Sequence, residues 1–480
     1  MVLTVSLGRI GYIIFGGEYQ VSSGYNSYSL DLSVLKPTLY DCNLNKFNNN
    51  KTLYKVIIRP NEKCLSELHY LYDKNEIQKI KNELSKGYPV IRTIDAPNEN
   101  LKYIQTVETV GDTNTDDVFI NSLKSNFDDE IGSKKINFSV DALGRLLDGD
   151  SGTVVDDEYC PQRGVILTLN SDIQKIAADA SKSMKKGAVV VMDVKNSNIL
   201  ALVSKGGDYL NRGILPYSVG SVFKLVVCTC AVENGIYEDF NCEGSITVGD
   251  TTYSCQKETA HGSQNMKEAL ANSCNCYFIN LALKLGAEKL TETAKSFNFA
   301  KDIYLEDKIT VKAGSFPDDI ALKSKGELAL LGFGQGLLTD SPVHFCSVIS
   351  SIANGGVYNN PDIILGSADE NGGAYYNEPA QGKRVMNAST ALKLSEYMRF
   401  VVSSGTGKNA DYNFSSAGKT STAQTGQYID GKEICNTWFA GFYPYKNPKY
   451  AIVVMTENGT SGAGDCCPIF RTIVENIGSV

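Results

Sequence analysis

Ser221-Val222-Phe223-Lys224, within YSVGSVFKL, constrains this chain more than any other short stretch in it. At the start of a helix, residues three apart share one face about one turn from each other, so the Lys224 amine comes within reach of the Ser221 hydroxyl. A serine hydroxyl is a poor nucleophile at its ordinary pKa and needs an adjacent base. A lysine whose pKa is lowered by burial can serve as one. Most S-x-x-K tetrads are solvated helix surface. This one follows Gly220, which permits a tight turn, and precedes the apolar run 225–227.

Two companion motifs lie downstream. In Ser273-Cys274-Asn275 the serine and asparagine, two residues apart, point the same way, and Lys419-Thr420-Ser421 opens a run (419–422) that reads as a strand edging a cleft. S-x-x-K followed by S-x-N and K-T-G is the signature of serine penicillin-recognising enzymes. The chain resembles the class B penicillin-binding proteins, the monofunctional D,D-transpeptidases of the division and sporulation type. The resemblance covers about 163–480. RGVILTLNSDIQKIA (163–177) is similar to the family's entry segment, GAVVVMDVKNSNILALVS (187–204) to its first hairpin, and GFGQGLLTDSPVHFCSVISSIANGG (332–356) to its G-x-G-Q run and following helix. NTWFAGFYP and YAIVVMTENG read as two sheet strands after the KTS strand. PTLYDCN (37–43) is a weaker upstream echo.

The resemblance implies an α/β catalytic domain over 160–480, built as a central, mainly antiparallel sheet flanked by helices. A smaller α+β pedestal over 17–159 and a membrane-anchor stub at 1–16 would precede it. Leu146 to Glu158, rich in Gly and Asp, reads as the connection between the two. The residues and the resemblance together assign Ser221 as nucleophile and Lys224 as its base. Ser273 relays the proton, Asn275 binds Lys224 and the substrate amide, and Lys419 with Thr420 binds a terminal carboxylate. Ser421 and Thr422 line the substrate, and by resemblance the oxyanion hole is formed by the N–H groups of Ser221 and Thr422. The implied substrates are peptidoglycan stem peptides, with β-lactams as covalent inhibitors, a membrane-embedded glycan polymerase as partner and an extracytoplasmic, membrane-anchored location. No cofactor is required for the chemistry. One departure stands out: KTS replaces the usual KTG, and Ser421 places a hydroxymethyl group on the face opposite Thr420.

Composition agrees with this and narrows it. A net charge of −8 offers no basic patch for nucleic acid, and three histidines with no G-x-S-x-G elbow count against a Ser-His-Asp hydrolase. The apolar stretch 1–15 is shorter than the roughly 20 residues of a membrane span. Two rivals share the motifs: a β-lactam-hydrolysing or β-lactam-sensing relative, for which no E-x-x-L-N pattern supplies a deacylating base, and a catalytically weak cell-wall scaffold.

Thirteen cysteines are many for an extracytoplasmic enzyme. Cys242, Cys255, Cys274 and Cys276 crowd the second motif with His261 among them. A Cys242–Cys255 disulfide, a structural Zn²⁺ site and buried free thiols all fit this pattern. The zinc reading takes Cys242, Cys255, His261 and Cys276 as ligands, with Cys274 as the alternate.

Overall fold

The computed structural model describes residues 27–478. The chain divides into two compact units. One comprises the residues up to Pro37, Asn48–Thr113 and Asp129–Pro161; the other comprises Thr38–Phe47, Asn114–Asp128 and Gln162–Val480. The division is interleaved where the sequence suggested a single boundary near 160, and the reason is pairing between distant segments. Thr38–Tyr40 forms a parallel ladder with Gly164, Val165 and Ile166, and the helix Val118–Asn126 buries Phe119, Ile120 and Leu123 in the larger core. The segment read as a connection supplies a strand of the first unit instead, Thr153–Asp157, paired with Gly132–Ser139. That unit is α+β. A sheet of Lys51–Ile58, Val90–Ile94 and Gln105–Gly111 packs Val56 and Ile58 against Leu68, Ile80 and Leu84 of its helical segments. The stretch read as an anchor stub lies outside the described residues, and no helix among the described residues is long and apolar enough to cross a membrane.

In the larger unit, near-continuous apolar runs make central strands because both faces of the sheet are covered. β1 (Gly187–Asp193) and β2 (Ile199–Lys205) form a hairpin, joined by β3 (Ala417–Ile429), β4 (Lys432–Tyr443) and β5 (Tyr450–Thr456). The sheet is antiparallel throughout, in the order β2-β1-β5-β4-β3. The helices that bear on the site are α1 (Ser171–Ala180), α2 (Lys224–Glu233), α3 (Asn275–Leu285), α4 (Pro342–Ala353), α5 (Ala388–Ser404) and α6 (Cys467–Ile477). Alternation along the strands sorts the side chains between two layers. Val189, Val191, Ile452 and Val454 pack with Ile173 of α1 and Phe470 and Ile473 of α6. Val190, Met192, Val453 and Met455 face the layer that holds Val226 of α2, Phe278 of α3 and Phe345 of α4. The fold is therefore the expected antiparallel sheet between helices, with the KTS strand β3 at its edge.

A buried ion pair fixes the start of α4. Ser341 caps the helix by accepting from the His344 N–H at 3.2 Å. His344 Nδ1 donates to Asp340 Oδ1 at 2.7 Å, and Nε2 donates to the Phe297 carbonyl at 2.7 Å. Both ring nitrogens face acceptors, so the imidazolium is the form that fits. Burial disfavours that charge, but the Asp340 carboxylate, its hydrogen bond and the Phe297 carbonyl outweigh it and hold the pKa above the ordinary histidine value. Asp340 also pairs by backbone with Tyr217, four residues before Ser221.

Removing the imidazolium leaves Asp340 buried without its partner, so His344→Gln is expected to lower stability by about 3 kcal/mol. Because the folded pKa is raised, the contribution is fully present below about 6.5, the unfolded value, and fades as pH rises through the folded one. Urea unfolding of both proteins at pH 6 and pH 9 should show the gap shrinking at the higher pH. A gap independent of pH would mean that the ring is neutral.

Candidate active site

The three motifs converge on a pair of buried lysines. Ser221 lies in a short 3-10 turn, Gly220–Phe223, that runs directly into α2 at Lys224. Gly220 enters the turn at φ +61°, a conformation that costs glycine nothing. The apolar run after Lys224 draws α2 wholly into the core, every residue from Lys224 to Val232 being buried. Ser221 stays half-exposed while Lys224 is 0% exposed.

Lys224 Nζ donates to the Ser273 carbonyl at 2.8 Å and to Asn275 Oδ1 at 2.8 Å, and lies 3.4 Å from Ser273 Oγ. It also stands over the Phe278 ring, 5.4 Å from its centroid. Burial lowers its pKa to about 8, although the charge of the neighbouring thiols Cys274, Cys255, Cys228 and Cys276 works the other way. A neutral amine has two N–H groups, which the two carbonyl-type oxygens satisfy, and one lone pair left over for a proton.

Ser273 can present both its carbonyl and its hydroxyl because its backbone is left-handed, φ +54°. Its hydroxyl bridges the motifs: Lys419 Nζ donates to Ser273 Oγ at 2.9 Å and to the Thr420 carbonyl at 2.8 Å. Burial, and then the charge of Lys224, hold the Lys419 pKa well below the usual lysine range. Lys419 is 0% exposed, its amine turned inward to Ser273. The next residue along the strand, Thr420, offers a hydroxyl. Thr420 Oγ1 lies 2.6 Å from Oγ1 of Thr406, an exposed residue that the sequence reading missed. Its loop follows α5 and is held by the Thr406 N–H donating to the Ala271 carbonyl, just before the S-x-N turn. The Gly405-Thr406-Gly407 stretch signals a turn, but nothing local ties it to a strand. Thr422 is half-exposed on β3, and Ser421 points the other way, buried, donating to the Val219 carbonyl at 2.8 Å.

Behind the S-x-N turn lies a buried Cys₃His cluster able to hold a metal ion. Cys242 closes the strand Phe240–Cys242, which pairs with Gly262–Gln264 just after His261; Cys255 follows the hairpin 245–254. Cys274 caps α3 with its sulfur accepting from the Tyr277 N–H. One ligand atom each from Cys242, Cys255, His261 and Cys274 lies within 4.8 Å of every other. The set holds Cys274, the alternate ligand, in place of the Cys276 expected from the sequence. As N-cap, Cys274 turns into the cluster while its neighbours Ser273 and Asn275 face the lysines. Cys276 lies at the margin, its sulfur 3.5 Å from that of Cys255. Cys242 and Cys255 are free thiols 3.7 Å apart, beyond the roughly 2.05 Å of a disulfide.

Residues 187–475, more than half of the chain, match the family described as the penicillin binding protein transpeptidase domain. The chain is 26% identical to stage V sporulation protein D of Bacillus subtilis, over 94% of its own length and 79% of that protein's. It is also 26% identical to the peptidoglycan D,D-transpeptidase MrdA of Haemophilus influenzae, over 65% of the chain and 56% of the relative. The crystal structure of penicillin binding protein 3 from Mycobacterium tuberculosis, complexed with aztreonam, superposes with a TM-score of 0.65. That match covers 94% of this chain and 97% of the other at 20% identity, and it shows the shared fold. Penicillin-binding protein A of the same organism, in its penicillin G acyl-enzyme complex, gives a TM-score of 0.60 at 23% identity over 66% of this chain and 80% of that one. With the three motifs meeting at one edge of an antiparallel sheet, the chain belongs to the penicillin-binding protein transpeptidases, the serine D,D-transpeptidases of peptidoglycan.

Proposed function

We propose that Ser221 forms the acyl-enzyme through which this protein cross-links peptidoglycan stem peptides, with Lys224 as its base. The observation that carries the reading is the wholly buried Lys224 amine, which spends two N–H groups on Ser273 O and Asn275 Oδ1 one helical turn from Ser221. Ser221 Oγ attacks the carbonyl of the penultimate D-alanine and passes its proton to Lys224. The bond to the terminal D-alanine breaks, and its nitrogen takes the proton through Ser273, whose hydroxyl lies between the two lysines. The amine of a second stem peptide then attacks the ester carbonyl and gives a proton to Lys224, which returns it to Ser221 Oγ as the ester bond breaks, forming the cross-link and releasing Ser221. Thr420 and Thr406 offer hydroxyls to the terminal carboxylate, and Lys419 behind them holds the Ser273 hydroxyl and the Thr420 carbonyl in place. β-Lactams acylate the same serine. The match over nearly the whole chain to a sporulation protein supports the division and sporulation branch. In this reading the enzyme works outside the cytoplasm beside a membrane-embedded glycan polymerase.

The cysteine cluster fits zinc. Zn–S bonds of about 2.3 Å set the sulfur atoms of a tetrahedral site about 3.8 Å apart, and the shorter Zn–N bond brings a ring nitrogen slightly closer. The separations here are 3.7 Å for Cys242–Cys255, 3.6 Å for Cys255–Cys274 and 3.5 Å from Cys242 Sγ to His261 Nδ1. A structural zinc would clamp the strand at 242, the hairpin before Cys255 and the cap of α3. It takes no part in the acyl transfer.

Mass spectrometry of protein treated with penicillin should find a long-lived adduct on Ser221, and none in Ser221→Ala or Lys224→Ala. Rapid loss of the adduct would favour the hydrolase reading, and an unlabelled wild type the scaffold. The acylation rate should rise with pH through about 8 as Lys224 loses its proton, then level off. A rate that is flat from pH 6 to 10 would point to another base.

Protein purified without chelator should carry about one zinc per chain by elemental analysis. Cys255→Ser should lower both zinc content and melting temperature, and metal-free wild type with a mapped Cys242–Cys255 disulfide would end the zinc assignment.

A further inference from the structure

The segment that delivers Ser221 is tied at three consecutive residues to three different places. Trp438 Nε1 on β4 donates to the Ser218 carbonyl at 3.0 Å, and Ser421 Oγ on β3 donates to the Val219 carbonyl at 2.8 Å. The Gly220 N–H donates to the Gly334 carbonyl at 2.9 Å. Ser421 and Trp438 are direct partners in the β3–β4 ladder, so two of these ties come from one cross-strand pair. The fit is close on every side. A Cβ on Gly220 would stand 2.4 Å from Ser421 Oγ, one on Gly334 would stand 2.0 Å from the Gly220 carbonyl, and one on Gly462 would stand 2.3 Å from the Trp438 carbonyl.

Gly220 is the point of least backbone resistance next to the nucleophile, since glycine at positive φ has neighbouring conformations open to it. A hydrogen bond on the residue just before it removes that freedom. Attack requires the serine oxygen within a few tenths of an ångström of its place, and slack of about 1 Å there costs roughly a hundredfold in rate.

We propose that Ser421 is a positioning residue, whose hydroxyl tethers the Val219 carbonyl and, together with Trp438, holds the turn that presents Ser221 in its attacking position. The glycine of a K-T-G motif has no hydroxyl and cannot make this bond. The inference rests on Ser221 being the nucleophile, and it goes beyond that assignment by giving the third motif's departure a mechanical role in the acylation step.

The test separates penicillin binding (K) from the first-order acylation step (k2) in the full chain. One hydrogen bond lost from the turn should lower k2 about fivefold in Ser421→Ala and Ser421→Gly while K stays within about twofold. Ser421→Thr keeps the hydroxyl and should restore k2 to within about twofold of wild type. Trp438→Phe keeps an aromatic ring but removes the indole N–H together with the five-membered ring, so it should lower k2 in the same way, and it keeps the tether testable if Ser421→Ala fails to fold. A side chain that merely stabilised the strand would change the melting temperature and leave k2 alone. Unchanged k2 in Ser421→Ala and Trp438→Phe, or a change confined to K, overturns the tether while leaving Ser221 as nucleophile. A wild type that penicillin does not label at Ser221 overturns the underlying assignment instead.

Discussion

Two lysine amines removed from water sit on either side of one serine hydroxyl, and the construction of the larger unit follows from making that arrangement tolerable. Burying a charged amine costs several kcal/mol unless it is compensated, so burial drives both lysines toward neutrality and demands oxygen acceptors at close range. Those acceptors are the Ser273 carbonyl and hydroxyl, Asn275 Oδ1 and the Thr420 carbonyl. Three of the four belong to one tight turn with a left-handed residue at its apex. That turn lies between α3, capped by Cys274, and the thiol cluster. The local strain at Ser273 is thus held by packing on the side away from the chemistry.

The same logic explains why so many elements of the unit abut Ser221. The G-F-G-Q run meets Gly220, the pair at 339–340 forms a ladder with Tyr217 and Ser218, and the buried ion pair of Asp340 and His344 anchors that ladder to α4. A serine presented on a glycine hinge is useful only when the hinge is immobilised. Here the immobilising contacts come from strands β3 and β4, from the loop before α4 and from the run that follows 332.

What was legible in the sequence was local and carried chemistry. Ser221 and Lys224 are one turn apart on a single helix, Ser273 and Asn275 belong to one turn, and the runs 187–193 and 450–456 are apolar on both faces, which marks a covered sheet. Thr406 and Trp438 were not legible as site residues, since their partners Thr420 and Ser218 are set by tertiary packing. Ser421 was visible as a departure from the motif, but its acceptor, 202 residues away, was not. The choice between Cys274 and Cys276 turned on which one caps α3, a matter of a single residue at a helix boundary. The interleaving of the two units rests on a parallel ladder between 38–40 and 164–166, and no short-range pattern announces such a ladder.

Trp438 is the chain's single tryptophan, and its indole N–H is bonded to the carbonyl three residues before Ser221. The ring is wholly buried, packed against Phe345 of α4 with centroids 6.3 Å apart. Indole emission responds to hydrogen bonding at that nitrogen and to the polarity around the ring. The protein therefore carries an intrinsic optical probe beside the turn that holds Ser221, free of background from any other indole. A shift of the turn is written directly into its fluorescence, so the state of the site can be followed in real time without a label.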